Sequence, residues 1–284
     1  MFDFEFCGSG GAMPLPNRAL SSCLVSCYGR KILLDCGEGT QVSMRSLHAG
    51  FKDLDLICIT HRHGDHIYGL PGLLATMANS LRQRPLLILS IRGMAPYLEG
   101  LLRSCHLSFD IYLLEFSGKN QERLYLKLDH EGLQIKALCD FHPDALTRIF
   151  RGQAIAGLRP LREQAYPYST DDSRPRASIQ ADANLIIRGL EQEHSVPCIA
   201  FRFDFLRLPR FLAERATALE IPRRYWSKLQ RGENYADIKA EEVMGELRSG
   251  FSFVFITDTR PVSANQNFAA DVDLLISEAT FGDD

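Results

Sequence analysis

The segment Ile59-Thr60-His61-Arg62-His63-Gly64-Asp65-His66 decides the fold and the chemistry expected of this 284-residue chain. The apolar run just before it, residues 54–59, predicts a buried strand that ends at Thr60. Three histidines and one aspartate then follow within six residues. Packing does not explain them, because unpaired His and Asp side chains are rare in a protein core. Imidazole nitrogens and carboxylate oxygens are the ligands that zinc prefers, so the segment predicts a metal site.

The pattern His61-x-His63-x-Asp65-His66 resembles the metal-binding signature of the metallo-β-lactamase superfamily. Its continuation Gly-Leu-Pro-Gly-Leu-Leu at 69–74 resembles the ribonuclease Z branch, which removes 3′ trailers from precursor tRNA. In that family the first two His bind one metal, and the Asp and last His face a second. The resemblance implies an α/β fold, the αββα sandwich of the superfamily, in which two packed sheets carry helices outside.

The same resemblance implies further metal-site residues downstream. His194 matches the family's third-motif His, because a Ser, a Pro and an apolar strand follow it; His142 is the open alternative and matches only in preceding a Pro. Asp258 ends a predicted strand at 251–256 and resembles the metal-bridging carboxylate. Asp35 resembles the Asp that supports the metal loop. The implied ligand set for two zinc ions is His61, His63 and His194 for one, Asp65 and His66 for the other, with Asp258 between them.

Two catalytic assignments come from the resemblance, and the sequence also departs from the family at two places. Asp65 corresponds to the residue that orients or deprotonates the attacking water. Residues 277–280, Ser-Glu-Ala-Thr, resemble the family's His-Glu-Ala-Thr box, which makes Glu278 a catalytic candidate and puts Ser277 in place of the leaving-group His. The family's final ligand motif also has no counterpart, since no His follows Asp258. We therefore expect a C-terminally incomplete fold, a weakly held second zinc, and slow or absent cleavage of precursor tRNA.

A single domain spanning residues 1–284 is expected, with a loop-rich insertion at about 143–183 and a basic arm at about 202–249. Residues 202–231 carry eight basic and three acidic side chains, in a chain whose net charge is −3. Basic residues among aromatics at 221–226 favour contact with phosphates and stacking on bases. In ribonuclease Z an arm at this place grips tRNA. The expected substrate-binding residues are Arg223, Arg224 and Lys228, and the resemblance to ribonuclease Z adds Asn17 and Arg18 from a proline-containing loop.

Composition and sequence pattern bear on the cellular location and on the state of the cysteines. No apolar run could span a bilayer and the first residues lack a signal-peptide pattern, so a cytoplasmic protein without a membrane partner is expected. Eight cysteines without a Cys-x-x-Cys pair predict reduced thiols.

A homodimer that binds precursor tRNA is expected. The open alternatives are a small-molecule (cyclic) phosphodiesterase of the same superfamily and a non-catalytic tRNA-binding remnant; residues 69–74 disfavour a β-lactam hydrolase.

Overall fold

The computed structural model describes residues 2–103, 105–116, 123–128, 135–138, 158–160, 176–182, 185–207, 209–230, 233–246 and 248–278. The strands within these ranges are β1 Phe2–Gly8, β2 Ser22–Cys27, β3 Arg30–Leu34, β4 Leu56–Ile59, β5 Leu86–Ile91, β6 Ile111–Phe116, β7 Arg123–Leu128, β8 Ile135–Leu138, β9 Leu158–Pro160, β10 Arg176–Asp182, β11 Leu185–Gln192, β12 Cys198–Arg207, β13 Arg248–Ile256 and β14 Leu274–Ser277. The α-helices are α1 Thr40–Ser46, α2 Gly64–Ile67, α3 Leu70–Asn79, α4 Met94–Leu102, α5 Ala213–Ala218, α6 Trp226–Gln230 and α7 Ala264–Phe268, and short 3₁₀ turns lie at Phe51–Asp53, Arg223–Tyr225 and Ala240–Val243.

The strands form two sheets. The larger sheet contains β1 to β9 in chain order, with β3 to β6 parallel and the flanking strands antiparallel. The smaller sheet contains β10 to β14, antiparallel except for the parallel pair β13 and β14. Parallel neighbours need crossover connections, and helices α1 to α4 supply those of the larger sheet.

Alternation of side chains along the strands builds four layers. In β3, Leu33 faces one way into a core with helices α1, α3 and α4, while Ile32 and Leu34 face the second sheet. The outer face of the second sheet packs on α7 through Phe268. The predicted αββα sandwich is therefore confirmed. Among the described residues, no helix is both long enough and apolar enough to cross a membrane, and the described cysteines are all free thiols.

Strands of the structure overlap the ends of two predicted segments. The basic arm was expected over 202–249, but its first residues belong to β12 and its last to β13, because the arm joins two paired strands. The loop-rich insertion expected at 143–183 contains β9 and β10, and β10 pairs along its length with β11. The rest of that range lies outside the described residues, so the insertion and the single-domain organisation remain predictions.

Aromatic side chains fill the space between the two sheets. Phe253 is fully buried, its ring stacks on Phe203 with centroids 4.5 Å apart, and it meets Phe4 edge-on at 5.2 Å. We predict that Phe253→Ala lowers the free energy of unfolding by about 3–5 kcal/mol, because a large side chain is lost and the rigid sheets leave a cavity. Urea denaturation measures the change. Val42→Ala, on the exposed side of α1, is the control and should shift stability by less than about 0.5 kcal/mol; equal effects would contradict this packing.

Candidate metal centre

The predicted ligands meet where the ends of strands from both sheets converge. β3 and β4 are parallel, so Asp35 after β3 and Thr60 after β4 emerge side by side. β12 and β13 are antiparallel, so the loop before β12 and the loop after β13 share one end of the smaller sheet. His194 lies in the first of these loops and Asp258 in the second. Residues from both sheets thereby reach one site.

Four donors form a compact cluster. Donor atoms of His61, His63, His194 and Asp258 all lie within 4.8 Å of one another. The Nδ1 atom of His63 lies 3.2 Å from His61 Nε2 and 3.0 Å from His194 Nε2. Asp258 Oδ2 lies 3.9 Å from both of those Nε2 atoms. The structure thus places His194 in the group, while His142 lies outside the described residues.

The cluster fits a divalent metal ion. Three imidazole nitrogens and one carboxylate are a donor set that suits zinc-type ions. Asp258 Oδ1 is buried and lies 3.1 Å from His66 Nε2, which donates to it when the ring is protonated. A divalent ion would take the place of that proton and balance the buried carboxylate. These four residues could therefore hold a metal ion.

Asp65 and His66 lie beside this cluster and share Asp258 with it. His66 Nε2 faces Asp258, and Asp65 Oδ2 lies 3.7 Å from the same nitrogen. On its other side, His66 Nδ1 lies 2.7 Å from Asp35 Oδ2, which fixes the ring and leaves Nε2 directed at the site. Asp35 thus occupies the supporting position expected of it. Among the described residues, the second group consists of Asp65, His66 and the shared Asp258.

Thr60 joins these parts, and sequence reasoning assigned it no role. Its backbone N–H donates to Asp35 Oδ1 at 2.7 Å, and its hydroxyl lies 2.9 Å from Asp35 Oδ2 and 3.0 Å from His61 Nδ1. Thr257 donates to the same hydroxyl, at 3.1 Å, from the smaller sheet. The sequence feature that could have pointed to Thr60 is a hydroxyl residue placed directly between an apolar strand and the metal ligands. Thr60 therefore holds His61 with its Nε2 facing the cluster.

Burial and neighbouring charges shift the pKa values of the site histidines in different directions. Burial, reinforced by the nearby His66, lowers the pKa of His61 to about 3. Burial alone would lower the pKa of His66 too, but the carboxylates of Asp35 and Asp258 outweigh it and raise that pKa to about 10. Burial lowers the pKa of His194 as well. At neutral pH His61 and His194 are neutral, so each has a ring nitrogen available to bind a metal ion. An ion that binds His66 must displace a proton.

A cavity of about 780 Å³ opens on the Asp65 side of the cluster. Asp65 Oδ2 accepts a hydrogen bond from the backbone N–H of Ala12 at 2.9 Å, which ties the N-terminal loop to the metal loop. Arg18 also lines the cavity, with Nη2 donating to the Ser9 carbonyl at 2.6 Å. Asn17 is exposed, in the turn between Leu15 and Arg18. Ser277 and Glu278, both exposed, line the same cavity from the end of β14.

The remaining predicted residues lie in the arm, away from this cluster. Arg223, Arg224 and Lys228 are exposed. The adjacent aromatics Tyr225 and Trp226 are partly buried, because they pack against a small arm core of Ala216, Ile221, Leu229, Ala240 and Val243. Tyr225 stacks on Tyr235 with centroids 4.2 Å apart, and Trp226 Nε1 donates to the Ile221 carbonyl at 2.9 Å. The arm thus presents charge to solvent and uses these rings internally.

Fold and site together define a protein of the metallo-β-lactamase fold with a candidate divalent-metal centre. Among solved structures, the metallo-beta-lactamase fold protein YhfI from Bacillus subtilis matches with a TM-score of 0.53 and 15% identity, over 99% of this chain and 71% of that one. A family profile described as "Anti-Pycsar protein Apyc1" matches residues 2–107, which include the metal loop. This match covers less than half of the chain.

Sequence relatives identify the family within the metallo-β-lactamase fold. The Ribonuclease Z of Alkaliphilus oremlandii is 38% identical over 288 aligned residues, covering 100% of this chain and 78% of the relative. The Ribonuclease Z of Clostridium tetani is likewise 38% identical, with the same coverage of both chains. The chain belongs to the ribonuclease Z family.

We predict that the chain retains close to one divalent ion after dialysis, because the first site has four clustered donors and the second has fewer. His194→Ala should bring the content close to zero, since one of four donors is lost. His142→Ala is the matched control and should keep the ion. Elemental analysis after gel filtration gives the stoichiometry. Two tightly held ions, or loss of metal from the His142 variant alone, would contradict this ligand set.

Thr60→Val tests the support beneath the ligands. Valine keeps the shape but removes the hydroxyl that contacts Asp35, His61 and Thr257, so we predict metal affinity lower by roughly 10–100-fold. The stability loss should be about 1–3 kcal/mol, because a buried carboxylate loses a donor. Thr60→Ser keeps the hydroxyl and is the control. Competition with a fluorescent chelator measures affinity, and an unchanged value in Thr60→Val would show that the hydroxyl does not position His61.

Proposed function

We propose that the chain is a zinc-dependent endoribonuclease that removes the 3′ trailer from precursor tRNA. The observation that carries the proposal is the convergence of His61, His63, His194 and Asp258 on one point, beside an open cavity, in a chain of the ribonuclease Z family. A metal centre at a cavity suits hydrolysis of a phosphodiester bond. A cytoplasmic location and a homodimer belong to the same proposal and rest on the family resemblance.

The four clustered residues would hold the first ion, and Asp65 and His66 would hold the second with Asp258. Bound divalent ions would withdraw charge from a phosphoryl oxygen and lower the pKa of a water molecule. Asp65 is the proposed general base. Its Oδ2 atom is oriented by the Ala12 N–H, which leaves Oδ1 to accept a proton from water. The charge of Arg18, held by Ser9 on the cavity wall, is placed to contact a substrate phosphate.

Departure of the leaving oxygen requires a proton. Ile276 and Ser277 of β14, with Glu278 just after that strand, line the same cavity as Asp65. A serine hydroxyl is a poor acid near neutral pH, so Ser277 gives little help in this step. Glu278 is the proposed catalytic residue there, because its side chain ends at the same cavity as Asp65. The chemistry of these residues supports a slow enzyme.

A small-molecule phosphodiesterase is the second candidate, and the cavity itself favours it. A volume of about 780 Å³ lies in the range of pockets that enclose a small ligand. Such an enzyme would not need the charged arm. A non-catalytic tRNA-binding remnant would need the arm but no metal-dependent activity. Arm variants and activity measurements therefore separate the three possibilities.

We predict that the zinc-loaded chain releases the trailer from a 3′-extended precursor tRNA slowly, and that Asp65→Ala removes this activity. Ser277→His should raise the rate by roughly 10²–10⁴-fold, the usual range for a gained general acid. Ser46→His, at the exposed end of α1, is the control and should not change the rate. Gel analysis of end-labelled tRNA measures product. Fast turnover by the unaltered chain, or no response to Ser277→His, would contradict the assigned role of this position.

The arm makes a separate prediction about binding. Replacing Arg223, Arg224 and Lys228 by Ala should weaken tRNA binding and flatten the dependence of log K on log salt by roughly one unit per lost phosphate contact. Metal content should not change. A control triple variant at Arg45, Lys52 and Arg103 removes the same charge from exposed positions on the body of the protein. If both triple variants change the salt dependence equally, the arm is not the tRNA contact.

A further inference from the structure

Tyr68 is an exposed aromatic residue that packs directly on the metal loop. It follows α2 and is 57% exposed. A Cβ atom at Gly64 would lie 2.3 Å from Tyr68 Cε2, so the ring lies against the backbone between His63 and Asp65. A side chain at position 64 would have to push the ring away. The ring therefore stands beside the metal ligands while more than half of the residue stays exposed to solvent.

The side chain of Tyr68 lies close to Tyr97. Tyr97 belongs to α4, whose Leu98 is buried in the main core. Burial and the neighbouring Tyr68 hydroxyl raise the pKa of Tyr97 to about 12, while the charge of Arg62 acts to lower it. Arg62 itself is exposed. The Tyr68 ring and the charge of Arg62 thus both lie at the edge of the metal centre.

A fixed, half-exposed ring is suited to stacking against a planar ligand. Its rotamer is set before binding, so little side-chain entropy is lost when a ligand covers the open face. A ring that served packing alone would gain more by burying both faces. Nucleobases stack on such rings whatever their identity, since each base has a π face.

We propose that Tyr68 is a base-stacking residue, on which the nucleobase next to the scissile phosphodiester rests while Arg62 contacts an adjacent phosphate. Tyr97 is its positioning residue. The inference rests on the proposed function, because it assumes an RNA substrate at the metal centre. It adds a recognition element on the side of α4, separate from the N-terminal loop that carries Arg18.

Steady-state kinetics with precursor tRNA test the proposal. Tyr68→Leu should raise KM by about 5–150-fold, the range expected for loss of one base–aromatic stack. Tyr97→Phe should raise KM by a smaller factor, because the Tyr68 ring remains but loses the neighbouring hydroxyl. Tyr28→Leu is the matched control: Tyr28 is 51% exposed at the turn between β2 and β3, at the opposite end of β3 from the metal loop. Its KM should match that of the unaltered chain.

Two further readouts separate stacking from loop support. Metal content must be unchanged in Tyr68→Leu; a variant that loses metal would overturn the proposal and make Tyr68 a structural residue. An abasic nucleotide beside the cleavage site should raise KM in the unaltered chain but add nothing in Tyr68→Leu, since both changes remove one contact. Independent losses that simply add would also overturn it.

Binding measurements distinguish failure of this inference from failure of the proposed function. RNA carrying 2-aminopurine beside the cleavage site should lose fluorescence on binding the unaltered chain and keep it with Tyr68→Leu. That result supports stacking even if no trailer is released, in which case the proposed activity fails and the base contact stands. Equal quenching by both proteins overturns the contact, whatever the cleavage assay shows.

Discussion

The buried carboxylate of Asp35 and its hydrogen bonds to Thr60 and His66 hold the metal centre together. The side chain of Asp35 is fully buried, and a charged group in such a place is tolerated only when its oxygens are satisfied. Thr60 and His66 donate to it from the end of β4 and from α2. Asp35 itself has φ of +55°, a backbone conformation that Asp tolerates better than most residues. These contacts fix the ends of two strands and one helix relative to each other.

Thr60 extends this constraint across the sandwich. Its carbonyl accepts a hydrogen bond from the Ile199 N–H at 3.0 Å, and its hydroxyl accepts one from Thr257. Ile199 and Thr257 stand next to the loops that carry His194 and Asp258. The positions of those ligands therefore depend on the aromatic packing that sets the two sheets against each other. Metal binding and stability of the fold are coupled through the same few residues.

If the proposed functions hold, two parts of the molecule recognise the substrate: the arm and Tyr68. The arm commits Tyr225 and Trp226 to its own small core and exposes Arg223, Arg224 and Lys228, so it offers charge without a sequence preference. Tyr68 offers a planar surface beside the metal ligands, where the reacting bond would lie. A phosphate contact at a distance and a base contact at the centre would together orient an RNA chain.

Contiguous features were predictable from sequence, because they depend on local order. An apolar strand followed at once by His61, His63, Asp65 and His66 predicts ligands at a strand end, and the resemblance of this segment to the metallo-β-lactamase superfamily implies the sandwich. Only the tertiary structure decided the contacts between distant residues: His66 with Asp35 across 31 residues, Asp65 with Ala12 across 53, and Thr257 with Thr60 across 197. It also decided that Tyr225 packs inward and Tyr68 outward, since a side chain's exposure depends on which neighbours the fold places over it.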